Sequence, residues 1–229
     1  MAPPSARTRR LLRPVAPLPR AAAAWSGPVL VYGALCTVAI ATALARGQSP
    51  IETESWLPLG SEPRLLGHVT SVLAGLGLAV ATVKATRQLV RRFEWARALQ
   101  ADLRPAIVHA GEATVVVLGI ASAASEELFF RGLLTTVLGL VASSLAFGLL
   151  HQMRGRVRWV WAAWATVMGF LFGALFLATG SLLGPLLAHA IINIANLRFI
   201  RDTEVDAPKP RRLGGLLSSE PRPRRENAA

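Results

Sequence analysis

Residues 124–134, ASEELFFRGLL, place two carboxylates, Glu126 and Glu127, and a guanidinium, Arg131, between the apolar runs ATVVVLGIASA and GLLTTVLGLVASSLAFGLL. An unpaired charge in hydrocarbon is costly, so ionisable groups in such a setting face a protein interior or a wet cavity and mark function. In a helix each residue advances by about 100°, which sets Glu127 and Arg131 on one face at i, i+4 and leaves Glu126 roughly a quarter-turn away. Arg131 can neutralise only one carboxylate well. Glu127 is expected to pair with it and hold the site together, leaving Glu126 for proton chemistry. The inert alternative is a short solvated loop at the interface.

Two further groups reduce the weight of that alternative. FGLLHQ puts His151 one turn after Phe147, and LLAHAIINIAN puts His189 and Asn193 at i, i+4, with Asn196 at i+7 on the same stripe. A lone intramembrane histidine is more often a hydrogen-bonded packing residue than a catalyst. Two histidines, an asparagine and a glutamate pair in one half of a chain are harder to assign to packing. His68 and His109 have no polar companions at helical spacing and read as structural, and the single cysteine, Cys36, reads as helix packing.

These residues carry a resemblance. EELFFR fits EExxxR, FGLLH fits FxxxH and HAIIN fits HxxxN, in the order found in the CAAX protease and bacteriocin-processing (CPBP, or ABI) family of intramembrane endopeptidases. The stretch GFLFGALFLATGSLLGPLLAHAIIN resembles that family too, in its repeated Gly and its TGSL turn. The resemblance covers about residues 113–199. It departs from the family between Arg131 and Phe147, which are 16 positions apart where an extra amphipathic segment is usual.

The resemblance implies that Glu126 is the general base on a water also held by His151, and that His189 and Asn193 stabilise the oxyanion. Glu127 and Arg131 would be structural, with Glu127 assisting. No HExxH helix is present, so the expectation is a metal-free, glutamic-type site. The metallo-type alternative would use Glu126, His151 and His189 as an open three-ligand Zn²⁺ site. The rival readings are a non-catalytic membrane scaffold of the same family and a proton-coupled transporter; the chain lacks the inverted repeat and broken helix pairs that mark many transporters. The implied substrate is a membrane-associated protein or peptide. Eukaryotic relatives trim prenylated tails, whereas this Arg/Ala-rich chain looks bacterial. The myxosortase-like branch, which acts on C-terminal sorting tails, offers a substrate class that fits, although no motif here specifies it.

The elements that must position these groups follow from composition. The 229 residues are 52% apolar and 17% charged, with a mean hydropathy of +0.44, too apolar for a soluble domain. The chain reads as an all-α polytopic membrane protein. Apolar runs near the roughly 20 residues needed to cross a bilayer occur at 28–45, 65–83, 106–125, 132–150, 159–178 and 182–200, about six transmembrane helices. Residues 1–25 read as a disordered basic tail, 26–105 as two helices and a basic loop, 106–201 as a catalytic helix bundle, and 202–229 as a second basic tail.

The net charge of +12 reports orientation rather than nucleic-acid binding. Arg7, Arg9, Arg10, Arg13 and Arg20 precede the first run, Lys84 to Arg104 fill the second loop, Arg154, Arg156 and Arg158 the fourth, and Arg198 onward the C-terminal side. The first loop carries Glu52, Glu54 and Glu62 instead. Both termini are therefore expected in the cytoplasm of a bacterial inner membrane, with lipid as a partner. If 132–150 were one straight helix continuing from the motif, Glu126 and His151 would lie about 37 Å apart at 1.5 Å per residue. A turn near Gly139 would bring both to one depth.

Overall fold

The computed structural model describes residues 21–58, 63–153, 155 and 157–205; the expected tails lie mostly outside the described residues. The chain is an all-α polytopic membrane protein, helical throughout the described residues except for turns, loops and one isolated antiparallel bridge between Glu52 and Ser181. Helix α1 is Ala21–Ala45, α2 is Pro63–Arg92 and α3 is Glu94–Leu103, followed by a 3-10 turn at Arg104–Ala106. Helix α4, Glu112–Glu126, runs on into a π-helical stretch, Glu127–Thr135, and a last turn, Thr136–Leu138. Helices α5, Leu140–Leu150, α6, Arg158–Thr179, and α7, Leu183–Asp202, complete the bundle.

Among the described residues five helices are long and apolar enough to cross a membrane: Gly27–Ala45, Arg64–Arg92, Glu112–Leu138, Arg158–Thr179 and Leu183–Asp202; Leu140–Leu150 is a shorter apolar helix. They show large apolar side chains outward, among them Leu30, Leu44, Leu73, Val117 and Val167, the surface expected of helices bathed in lipid rather than water. The runs read from sequence as 106–125 and 132–150 are redrawn. The charged trio interrupts hydropathy but not the helix, so one rod extends to Leu138, and the chain reverses there into a helix only about 16 Å long.

The reversal falls at Gly139, whose φ of 82° and ψ of 169° lie in a region essentially confined to glycine. Thr135 Oγ1 and Ser143 Oγ join the two sides of the turn at 2.8 Å. Helix α7 packs between α2 and α4, and α5 packs on α6. The α2–α7 contact is very close: a Cβ on Gly75 would stand 2.8 Å from the Gly184 carbonyl carbon. Small residues that let backbones approach in this way are a usual means of joining helices in lipid.

The connections fall on two faces. On one, the α1–α2 loop is bonded to the α6–α7 turn, with Leu182 N–H donating to Ile51 O at 3.0 Å and Thr53 N–H to Gly180 O at 3.0 Å. His68 anchors the same region, with Nδ1 2.8 Å from Ser181 Oγ and Nε2 3.1 Å from Glu52 Oε1, a structural role. On the opposite face Gln100 Nε2 donates to Thr203 O at 2.9 Å, and Arg198 and Arg201 both pair with Glu112. Arg91, Arg92, Arg97 and Arg104 belong to this second, basic face.

Candidate active site

Glu126 lies 13 residues before Gly139 and His151 lies 12 after it, and the antiparallel pass puts Glu126 Oε2 3.5 Å from His151 Nε2. The α4 rod and α5 therefore deliver a carboxylate and an imidazole to one point. Helix α7 supplies the third group: His189 Nε2 is 3.8 Å from the same Glu126 oxygen. Glu126 is shielded but not sealed, its side chain being 13% exposed.

The tautomers follow from the partners. His151 Nδ1 lies 2.8 Å from the Phe147 carbonyl oxygen, which can only accept, so Nδ1 carries the hydrogen. His189 Nδ1 lies 2.7 Å from Glu127 Oε1, so in contact with a carboxylate it too carries the hydrogen. In the neutral rings both Nε2 atoms are then lone pairs turned toward Glu126. Three acceptors facing one another call for a proton or a water between them.

Glu127 is wholly buried and stands 3.0 Å from Arg131 Nη1 through Oε1, the atom that also receives His189. Arg131 is buried too, and its guanidinium lies 4.3 Å from the centroid of the Phe147 ring and 5.3 Å from that of Phe172. Glu127 Oε2 and both terminal nitrogens of Arg131 have no hydrogen-bond partner among the described residues. The ion pair and the aromatic faces are what compensate the cation. Phe172 also stacks on His189, with centroids 5.1 Å apart. The backbone beneath the trio is a π-helix rather than the α-helix assumed from sequence, and Thr135 Oγ1 donates to Phe130 O five residues back. Such π segments recur at functional sites.

Asn193 lines the same cavity as Glu126, His151 and His189, and its Nδ2 donates to Ser122 Oγ at 2.9 Å. Asn196, on the same stripe, does something else: Arg87 Nη1 and Thr86 Oγ1 bond its Oδ1 at 2.9 and 3.1 Å. The cavity, about 460 Å³, runs from these groups to Trp95, Leu99 and Leu103 of α3 at the basic face. Sequence reading missed Ser122, the aromatic cage and the amphipathic α3. Ser122 precedes Glu126 by one turn, which is the spacing that would have found it.

Among the described residues no group of three or more His, Cys, Asp and Glu side chains is gathered as a metal-holding cluster.

Residues 111–195 match the family model described as type II CAAX prenyl endopeptidase Rce1-like. The chain is also similar to the uncharacterized protein YpbD of Bacillus subtilis (strain 168), 38% identical over 79 residues, which is 34% of this chain and 41% of that relative's length. No solved structure matches. The matched segment begins just before α4 and ends within α7, so it takes in all three motifs and the helices that bring them together, and over that segment the chain is similar to the CAAX endopeptidase family.

Proposed function

We propose that the chain is an intramembrane endopeptidase of glutamic type that hydrolyses peptide bonds of membrane-associated protein substrates. The observation that carries this is the convergence of Glu126, His151 and His189 on one point at the end of a cavity inside an otherwise apolar bundle. Peptide hydrolysis needs a nucleophile made from water, donors for the oxyanion and a proton for the leaving amine.

In this reading Glu126 accepts a proton from a water that also donates to His151 Nε2, and the water oxygen bonds to the substrate carbonyl carbon. The developing oxyanion faces an Asn193 N–H and a protonated His189 Nε2–H, whose charge the Glu127 carboxylate balances from Nδ1. The carbon–nitrogen bond then breaks, and Glu126 returns its proton to the departing amine. Arg131 pairs with Glu127 and holds it in place. Substrate enters from the basic face past α3, which the distribution of Lys and Arg assigns to the cytoplasm, with both termini there. The substrate class, a C-terminal tail included, is tested by mapping protein termini in membrane fractions from cells that make the chain and cells that make Glu126→Gln. New termini confined to the unsubstituted chain support a protease; identical sets contradict it.

A further inference from the structure

Asn193 has two N–H bonds, and in the proposed reaction one must meet the oxyanion. An amide on a free χ2 rotor is a poor donor, because its N–H and C=O exchange places at little cost. Here one N–H is committed to Ser122 Oγ at 2.9 Å, which fixes the plane of the amide and leaves a single N–H to face the cavity.

Ser122 is itself oriented. It is 7% exposed, and its hydroxyl, with one hydrogen and two lone pairs, directs the hydrogen toward Gly119 O at 3.4 Å and gives one lone pair to Asn193. Tyr32, the one tyrosine of the chain, reaches in from α1 and lines the cavity together with Ser122, Glu126 and Asn193. Helix α1 lies outside the segment that matches the family.

We infer that Ser122 and Tyr32 are positioning residues that act through Asn193: Ser122 locks the amide, and the Tyr32 hydroxyl donates to the second lone pair of Ser122 and locks the serine. Helix α1 then has a part in the site as well as in the bundle. The inference rests on the proposed protease reading for its purpose and on geometry for its existence, and two readouts separate the two.

The first needs no substrate. Because Tyr32 is the one tyrosine, 3-fluorotyrosine incorporation labels it alone in the full chain, and its fluorine resonance in lipid nanodiscs reports its hydroxyl partner. Ser122→Ala and Asn193→Ala should each move that resonance, Ser122→Thr should largely restore it, and the lipid-facing Val117→Ala should leave it in place. An unmoved resonance in Ser122→Ala overturns the relay whether or not the chain is a protease.

The second is kinetic, on a substrate recovered by terminus mapping. Ser122→Ala and Tyr32→Phe should lower kcat with KM nearly unchanged, by up to the roughly 10²-fold of a lost oxyanion donor. Ser122→Thr should recover most of it, and Ser122→Ala should cost nothing further in an Asn193→Ala background. Full activity in Ser122→Ala, or losses that multiply with Asn193→Ala, overturns the positioning role.

Discussion

Glu127 holds His189 by Oε1 at 2.7 Å, 62 residues away in sequence and on another helix. That same oxygen faces Arg131, so one buried carboxylate serves two cations or one cation and one imidazole, and it couples the packing of the bundle to the orientation of a site residue.

The two duties of Glu127 are separable. Glu127→Gln leaves the Arg131 guanidinium, 1% exposed, without its countercharge, a loss of about 3–5 kcal/mol for a buried pair broken on one side. Membrane accumulation should fall. Adding Arg131→Met should restore accumulation but not cleavage, because His189 still lacks its carboxylate. A double variant that accumulates and cleaves like the original chain contradicts the coupling.

Gly139 tests the hairpin. Its backbone conformation belongs to glycine, and a Cβ there would meet nothing within 4 Å, so Gly139→Ala should act through backbone strain alone. A loss of about 1–3 kcal/mol is expected, read as a lower unfolding midpoint in detergent. An unchanged midpoint would mean that the turn is made elsewhere.

Much of this arrangement was legible in the sequence, and the exceptions have physical reasons. The turn at Gly139 could be placed because Glu126 and His151 had to share a depth. The rod 112–138 could not, since hydropathy treats Glu126, Glu127 and Arg131 as a break, whereas their charges are compensated inside the bundle. Helix α3 read as part of a basic loop because the arginines flanking it, Arg91, Arg92 and Arg104, dominate the stretch, although Trp95, Ala96, Leu99, Gln100 and Leu103 recur at helical spacing and line the cavity. The Glu127–His189 contact was invisible because i, i+4 logic sees only partners on the same helix. Asn196 was misleading for the converse reason: it shares a stripe with His189 and Asn193, yet its amide is occupied by Arg87.

Orientation is open to a direct check. The start of α1, the α3 region and the end of α7 should all lie in the cytoplasm, with the α1–α2 loop on the far side. Reporter fusions after Arg20 and after Arg201 should both read cytoplasmic, and one after Gln48 periplasmic. A periplasmic signal from either terminus contradicts the proposed topology.

Metal dependence divides the two versions of the chemistry. In the glutamic reading, purified enzyme treated with 1,10-phenanthroline keeps its activity and holds no stoichiometric zinc. Inactivation that added zinc reverses would reassign Glu126, His151 and His189 as ligands.

The central claim is that Glu126 is the base and not a structural group. Unlike Glu127, it makes no close pair with Arg131, so Glu126→Gln keeps the shape of the side chain and strands no buried guanidinium. The deciding measurement is cleavage of a recovered substrate by purified Glu126→Gln in lipid nanodiscs, alongside its membrane accumulation. The account predicts near-normal accumulation with cleavage lowered by about 10² or more, the loss associated with removing a general base. Cleavage at the rate of the unsubstituted chain would contradict it.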